Sequence, residues 1–175
     1  MQEQTKVARF EQAVLPHLNA AYNLARWLTR NDQDAEDVVQ EAYLRAFKFF
    51  DGYRGGDSGA WLLTIVRHTC YTWLQQRGSA DLTTAFDEEL HSGACEIDNP
   101  ERLVMQHADA QVLREALEAL PVEFREVIVL RDLEGLSYKE IAAVAAVPLG
   151  TVMSRLARAR RRLQLWLAPR MSKER

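Results

Sequence analysis

Thr151, Ser154, Arg155, Arg158 and Arg162 recur at intervals of three or four residues, which places them on one face of a helix. Val152, Leu156, Ala159, Leu163 and Trp166 fall on the opposite face. A helix divided in this way buries one side and offers hydroxyls and guanidinium groups on the other. Such groups suit the DNA major groove: the early residues reach base edges, and the later arginines, Arg161 among them, meet phosphates. A merely solvated terminal helix carries the same cations, so the preceding residues decide between the two. Ser137-Tyr-Lys-Glu140 reads as a capping box that starts a short helix with Ile141, Val144 and Ala145 inward. A turn through Ala146-Val147-Pro148 follows, and a second helix begins near Gly150-Thr151. Two short helices with a tight turn, the second cationic on its free face, make a helix-turn-helix.

A second set of side chains combines aromatic faces with cations: Tyr53, Arg54, Trp61, Arg67, Tyr71 and Trp73. Opening a duplex needs no covalent catalysis, only a surface that binds unstacked bases better than paired ones. At least one of Trp61 and Trp73 is expected in the core on periodicity. A third set, Asp37, Gln40, Glu41 and Leu44, with Arg45 and Lys48, lies off the apolar stripe of its helix. By its residues alone that face is a mixed-charge surface.

Other chemistries find no support. Cys70 and Cys95 make no disulfide framework, and with the scattered His68, His91 and His107 they lack the spacing of a metal site, so none is expected. Asp87-Glu88-Glu89 has no apolar walls around it, and no nucleophile, base and orienting group cluster, so no catalytic residue is expected. The glycines at 52–59 are not followed by Lys-Ser/Thr, which excludes a phosphate-cradling loop, and no cofactor is expected. No apolar run approaches the ~18 residues of a membrane span. Met1-Gln-Glu-Gln-Thr-Lys lacks the basic-then-apolar order of a secretory signal, so a cytoplasmic location is expected without membrane insertion.

The elements that must position these residues read as helices throughout. Phe10, Val14, Leu18, Ala21, Ala25 and Leu28 share a face, broken near Pro16. Asn31 or Asp32 caps the next helix, whose stripe is Ala35, Val38, Val39, Ala42, Ala46, Phe47 and Phe50. A loop with Gly52, Gly55, Gly56 and Gly59 follows, then a helix from about Ala60 to Arg77. Further helices are predicted at 102–119, 122–133, 137–145 and 149–167. The formal charge of −3 conceals a polarity along the chain: residues 1–77 are net 0, 78–109 net −7 and 110–175 net +4. The reading is an all-α chain of two small helical domains, 1–77 and 102–168. A flexible acidic linker, 78–101, joins them, and 169–175 form a tail in which Lys173 and Arg175 hang free.

At these residues the chain resembles a known family. Leu117-Glu-Ala-Leu-Pro121, Arg125-Glu-Val-Ile-Val-Leu-Arg131, Leu136-Ser-Tyr-Lys-Glu-Ile-Ala142 and Gly150-Thr-Val-Met-Ser-Arg-Leu156 are similar to region 4 of bacterial extracytoplasmic-function (ECF, group 4) sigma factors of the sigma-70 family. That region reads the −35 promoter element. Asp34-Ala-Glu-Asp-Val-Val-Gln-Glu-Ala-Tyr-Leu-Arg-Ala46 resembles the region 2 helix that docks on the polymerase clamp, and Trp61-Leu-Leu-Thr-Ile-Val-Arg67 the promoter-melting segment. The resemblance implies a sigma factor that binds core RNA polymerase (its beta and beta-prime subunits) and promoter DNA, with an anti-sigma factor as a further partner. It implies polymerase contacts at Asp37, Gln40, Glu41 and Leu44. Contacts with −10 DNA fall to Tyr53, Arg54, Trp61, Arg67, His68 and Tyr71, and contacts with −35 DNA to Thr151, Ser154, Arg155, Arg158, Arg161 and Arg162. Three positions depart from the family pattern: His68 where Asn is frequent, Ala146 where Gly is frequent, and Met153 where many relatives have Lys or Arg. Two other classes compete with this reading. A stand-alone helix-turn-helix regulator would bind specific DNA without polymerase, and a nucleic-acid hydrolase would need the catalytic cluster that is not found.

Overall fold

The computed structural model describes residues 1–77 and 110–171. The first stretch holds α1 (Gln2–Val14), α2 (Leu18–Thr29), α3 (Asp32–Phe49) and α4 (Ser58–Gln76). The second holds α5 (Ala110–Ala119), α6 (Val122–Ile128, continued by a π turn at Val129–Leu133), α7 (Tyr138–Ala145) and α8 (Leu149–Met171). No strand occurs among the described residues, which are all-α. The expected linker at 78–101, the start of the helix expected at 102–119, and Lys173 and Arg175 lie outside them.

Local chemistry accounts for each boundary. Pro16 lacks an N–H for a continuing α ladder, and the chain passes through a 3-10 turn at Leu15–His17 before α2 resumes. Asn31, rather than Asp32, caps α3 by accepting the Asp34 N–H at 3.0 Å, while Asp32 and Asp34 occupy the positive end of the helix. Asp57 caps α4 in the same way through the Ala60 N–H, at 3.1 Å. Pro121 stands just before α6 as its N-cap. The capping box of α7 is complete: Glu140 N–H donates to Ser137 Oγ at 3.1 Å, and Ser137 N–H to Glu140 Oε1 at 3.0 Å. The last helix runs beyond the expected end at 167 and carries Pro169 inside it. There Arg170 donates to the Trp166 carbonyl at 2.8 Å and lies 3.4 Å over the Trp166 ring, which holds the final turn together.

Each unit buries the expected stripes. In the front unit the Phe10 ring meets Tyr43, Phe47 and Phe50 edge-on at 5.0–5.4 Å, the arrangement that ring quadrupoles favour. Ala21, Ala25, Ala35, Ala42 and Ala46 are all buried and let the backbones of α2, α3 and α4 approach closely. In the rear unit Ile141 and Val144 of α7 close on Val152, Leu156, Ala159 and Leu163 of α8. Leu167, not Trp166, takes the deepest position in the last turns of α8; Trp166 is half-buried beneath Arg170. The two units also pack on one another, α7 against α4 and α2 against α6.

Candidate nucleic-acid interface

The helix-turn-helix forms as the spacing requires, with α7 and α8 bent by 101° at their junction. Ala146 makes that corner in the left-handed region, φ 55°, with its N–H on the Ala142 carbonyl. Along α8, Leu149, Met153 and Arg161 are exposed, while Thr151, Ser154, Arg155, Arg158 and Arg162 are half-buried. Ser154 Oγ donates to the Thr151 carbonyl at 3.1 Å, so its hydroxyl is engaged within the helix. Arg162 covers the Phe124 ring at 5.1 Å, and Arg155 is close enough to Glu123 for their charges to act on each other. Arg160, outside the face picked from the sequence, pairs with Asp132 at 3.3 Å. The cations of α8 thus divide between the body of the unit and solvent.

The front unit presents two surfaces. Asp37, Gln40, Glu41 and Leu44 are exposed together on α3, with Leu44 at 68% of its free area and Glu41 paired to Arg45 at 2.7 Å. Beside α4 the loop carries Gly55 and Gly56 at φ 89° and 91°, a backbone few other residues would adopt. Tyr53 ties that loop by donating its hydroxyl to the Gly56 carbonyl at 2.8 Å. Its ring stacks on Phe50 and tilts against Trp61 at 5.0 Å, leaving a half-buried aromatic shelf with Arg54 exposed next to it. His68 is exposed on α4, and Trp61 and Trp73 are both half-buried.

Arg67 and Tyr71 stand apart from this shelf. They are one turn apart on α4, with the guanidinium 4.3 Å over the phenol ring, and both face the rear unit. Arg67 Nε donates to Glu126 Oε1, and Tyr71 donates its hydroxyl to Glu126 Oε2 at 2.8 Å. Burial pushes the Tyr71 hydroxyl far above the ordinary tyrosine range, and the Glu126 charge adds to that. Burial alone would lower the Arg67 pKa, but Glu126 outweighs it and holds the guanidinium above its ordinary value. Burial likewise pushes up the Cys70 thiol, which is packed away from solvent and unreactive.

Glu126 and its neighbour Arg125 were not singled out from the sequence, yet both are fully buried. Arg125 donates to the carbonyls of Leu120 at 2.8 Å, Glu118 at 3.3 Å and, across the units, Leu28 at 3.3 Å. The available clue lay in the run Phe124-Arg-Glu-Val-Ile-Val-Leu130. Apolar residues surround the charged pair, and charges inside a helix buried on all sides must be partnered.

The sigma-70 region 2 family model matches residues 13–80, and the sigma-70 region 4 model matches residues 110–163. The chain is 40% identical over 134 residues to the ECF RNA polymerase sigma-E factor of Escherichia coli, covering 73% of this chain and 70% of that one. The chain belongs to the ECF sigma factors of the sigma-70 family. ECF sigma factor SigE of Mycolicibacterium smegmatis is 36% identical over 170 residues, which is 97% of this chain and 66% of SigE. Among solved structures, the sigma factor RpoE of Bartonella quintana, in complex with the anti-sigma factor NepR, matches with a TM-score of 0.70 and 31% identity. That match covers 91% of this chain and 97% of RpoE. CnrH, in complex with the cytosolic domain of CnrY, matches with a TM-score of 0.62 and 26% identity, over 91% and 88% of the two chains. In this sigma factor the region 2 match takes in α2 to α4, and the region 4 match takes in α5 to α7 and the greater part of α8, with the helix-turn-helix at its end. Among the described residues no group of His, Cys, Asp and Glu is placed to hold a metal, and no single helix is long and apolar enough to cross a membrane.

Proposed function

We propose that this ECF sigma factor joins core RNA polymerase in the cytoplasm and directs it to promoters by engaging −10 and −35 DNA, without itself catalysing a reaction. The observation that carries this reading is the pairing, in one chain, of an exposed polar face around Leu44 with a helix-turn-helix whose second helix is cationic. In this reading region 2 spans 1–77, the acidic linker 78–101 and region 4 102–168. Asp37, Gln40, Glu41 and Leu44 meet the clamp. Tyr53, Arg54 and Trp61 offer the unstacked −10 strand a stacking surface with a cation beside it. On DNA, Thr151, Ser154 and Arg155 turn to −35 base edges, and Arg158, Arg161 and Arg162 follow the phosphates, Ser154, Arg155 and Arg162 exchanging their contacts within the chain for the nucleic acid. The solved relative RpoE is in complex with the anti-sigma factor NepR, which supports an anti-sigma factor as a partner of this chain as well.

Run-off transcription with purified core polymerase and a promoter library tests the reading. Promoter-specific RNA should appear only when both proteins are present. Specific DNA binding by a dimer, with no effect of the chain on core polymerase, would return the protein to the stand-alone regulators. Replacing Asp37 and Glu41 together by Lys should weaken core association about ten-fold, or about 1.4 kcal/mol. Helical content should not change, because both residues are exposed. Unchanged core affinity would remove the assignment of that face.

A further inference from the structure

We infer that Leu149 and Met153 form an apolar edge of α8 that reads thymine methyl groups in −35 DNA, an inference that rests on the −35 reading above and deepens it. Both side chains belong to the first two turns of α8, the part of a helix-turn-helix that meets base edges. They are four residues apart, so one stands a turn above the other along a single edge of the helix. Each keeps 44% of its free area. Gly150, beside them, is exposed, and a β-carbon there would meet nothing within 4 Å. The helix surface next to the two side chains is therefore low and open, and a groove can come close to its backbone.

Polar residues of α8 are already engaged within the chain. Ser154 Oγ donates to the Thr151 carbonyl at 3.1 Å, Arg155 lies within electrostatic reach of Glu123, and Arg162 covers the Phe124 ring. Leu149 and Met153 have no hydrogen bond to give up and enter a groove as they stand. The major groove offers an apolar side chain one distinctive partner among the four bases, the C5-methyl group of thymine. Leucine brings a branched methyl surface to it, and methionine an unbranched, polarisable chain that adapts to the position of its partner. Four residues of helix rise about 6 Å, and neighbouring bases of a strand lie about 3.4 Å apart, so the two side chains reach methyl groups about two base steps apart. A lysine at 153 would carry a charge to the phosphates instead. Met153 thus exchanges a contact that is indifferent to sequence for one that depends on the base.

Holoenzyme reconstituted with core polymerase tests the apolar edge on the −35 sequence selected from the promoter library. Each thymine of that element, on either strand, is replaced in turn by deoxyuridine, which removes the methyl group and leaves the base pair intact. Wild type should bind about four-fold more weakly at two of the positions, the loss expected for one methyl group without its contact. In Met153→Ala the loss should disappear at one of these positions, and in Leu149→Ala at the other. Met153→Lys should also be blind to its methyl group, and its affinity should fall more steeply with salt, by about one in the slope of log K against log salt. Helical content should be unchanged in all three variants, because both side chains are exposed. A selected −35 element without thymine, equal affinity for every deoxyuridine duplex, or a methyl effect that persists in both alanine variants would overturn the apolar edge and leave −35 recognition standing. Selection of no −35 sequence by the holoenzyme would overturn the functional reading and this inference together.

Discussion

Ala146 occupies the tightest corner of the helix-turn-helix with a side chain that the backbone disfavours. A β-carbon at φ 55° costs about 1 kcal/mol relative to glycine. Ala146→Gly should therefore stabilise region 4 by about that amount, seen as a higher midpoint in thermal unfolding. An unchanged or lower midpoint would mean that the corner tolerates alanine without strain. Arg30 makes an instructive comparison, because it ends α2 at φ 62° and is also not glycine. Its guanidinium reaches the Glu118 carbonyl, so glycine there would relieve strain and remove an inter-region bond together. The departure at 146 was visible in the sequence. Its cost became apparent only with the backbone angle, because proline follows two residues later and several turn geometries suit Ala-Val-Pro.

Between elements, the junction of α6 and α8 sets a titration. Burial raises the pKa of Glu123 above the ordinary glutamate range; Arg155 opposes that rise without cancelling it, and Glu126 adds to it. The folded chain therefore takes up a proton at Glu123 more readily than the unfolded chain does. The stability linked to that proton is fully present below the unfolded pKa and is lost as pH rises through the folded one. At neutral pH the ionised carboxylate works against folding. Glu123→Gln should accordingly raise the unfolding midpoint near pH 7.5 relative to wild type, and the difference should shrink as pH falls through the glutamate range. A difference that grows on acidification would show that the attraction of Arg155 dominates instead. The helices themselves were legible, since caps, stripes and breakers act within a few residues. The facing of Arg155 toward Glu123 was not, because helical period places a side chain on a face but does not say which neighbour lies across from it.

At the scale of the whole molecule, the contact between regions is polar where it is most buried. Arg125 is sealed from solvent and serves carbonyls of both regions. Arg125→Met keeps the length of the stem but removes every donor, so the carbonyls of the buried Leu28 and Leu120 lose this partner, while the Glu118 carbonyl keeps Arg30. It should cost about 1–3 kcal/mol. Calorimetry should then resolve separate unfolding of the two regions where wild type gives one transition. Two transitions in wild type, or one unshifted transition in the variant, would show that the regions do not depend on this residue for their coupling.

The sequence by itself determined the helices, their caps, the core stripes and the order of two helical units, because each is set by interactions within one or two turns. It also presented the exposed α3 face and the divided α8 face, since amphipathic spacing says which side chains are left over once a core is filled. Only the tertiary structure decided what those leftovers do in the folded chain. Arg67 and Tyr71 read equally well as solvent-facing cation and ring. Their partner Glu126 lies 59 and 55 residues away, a separation no local pattern encodes. A buried charge at the meeting of two units is specified by the pair, and neither unit's sequence carries the whole of that information.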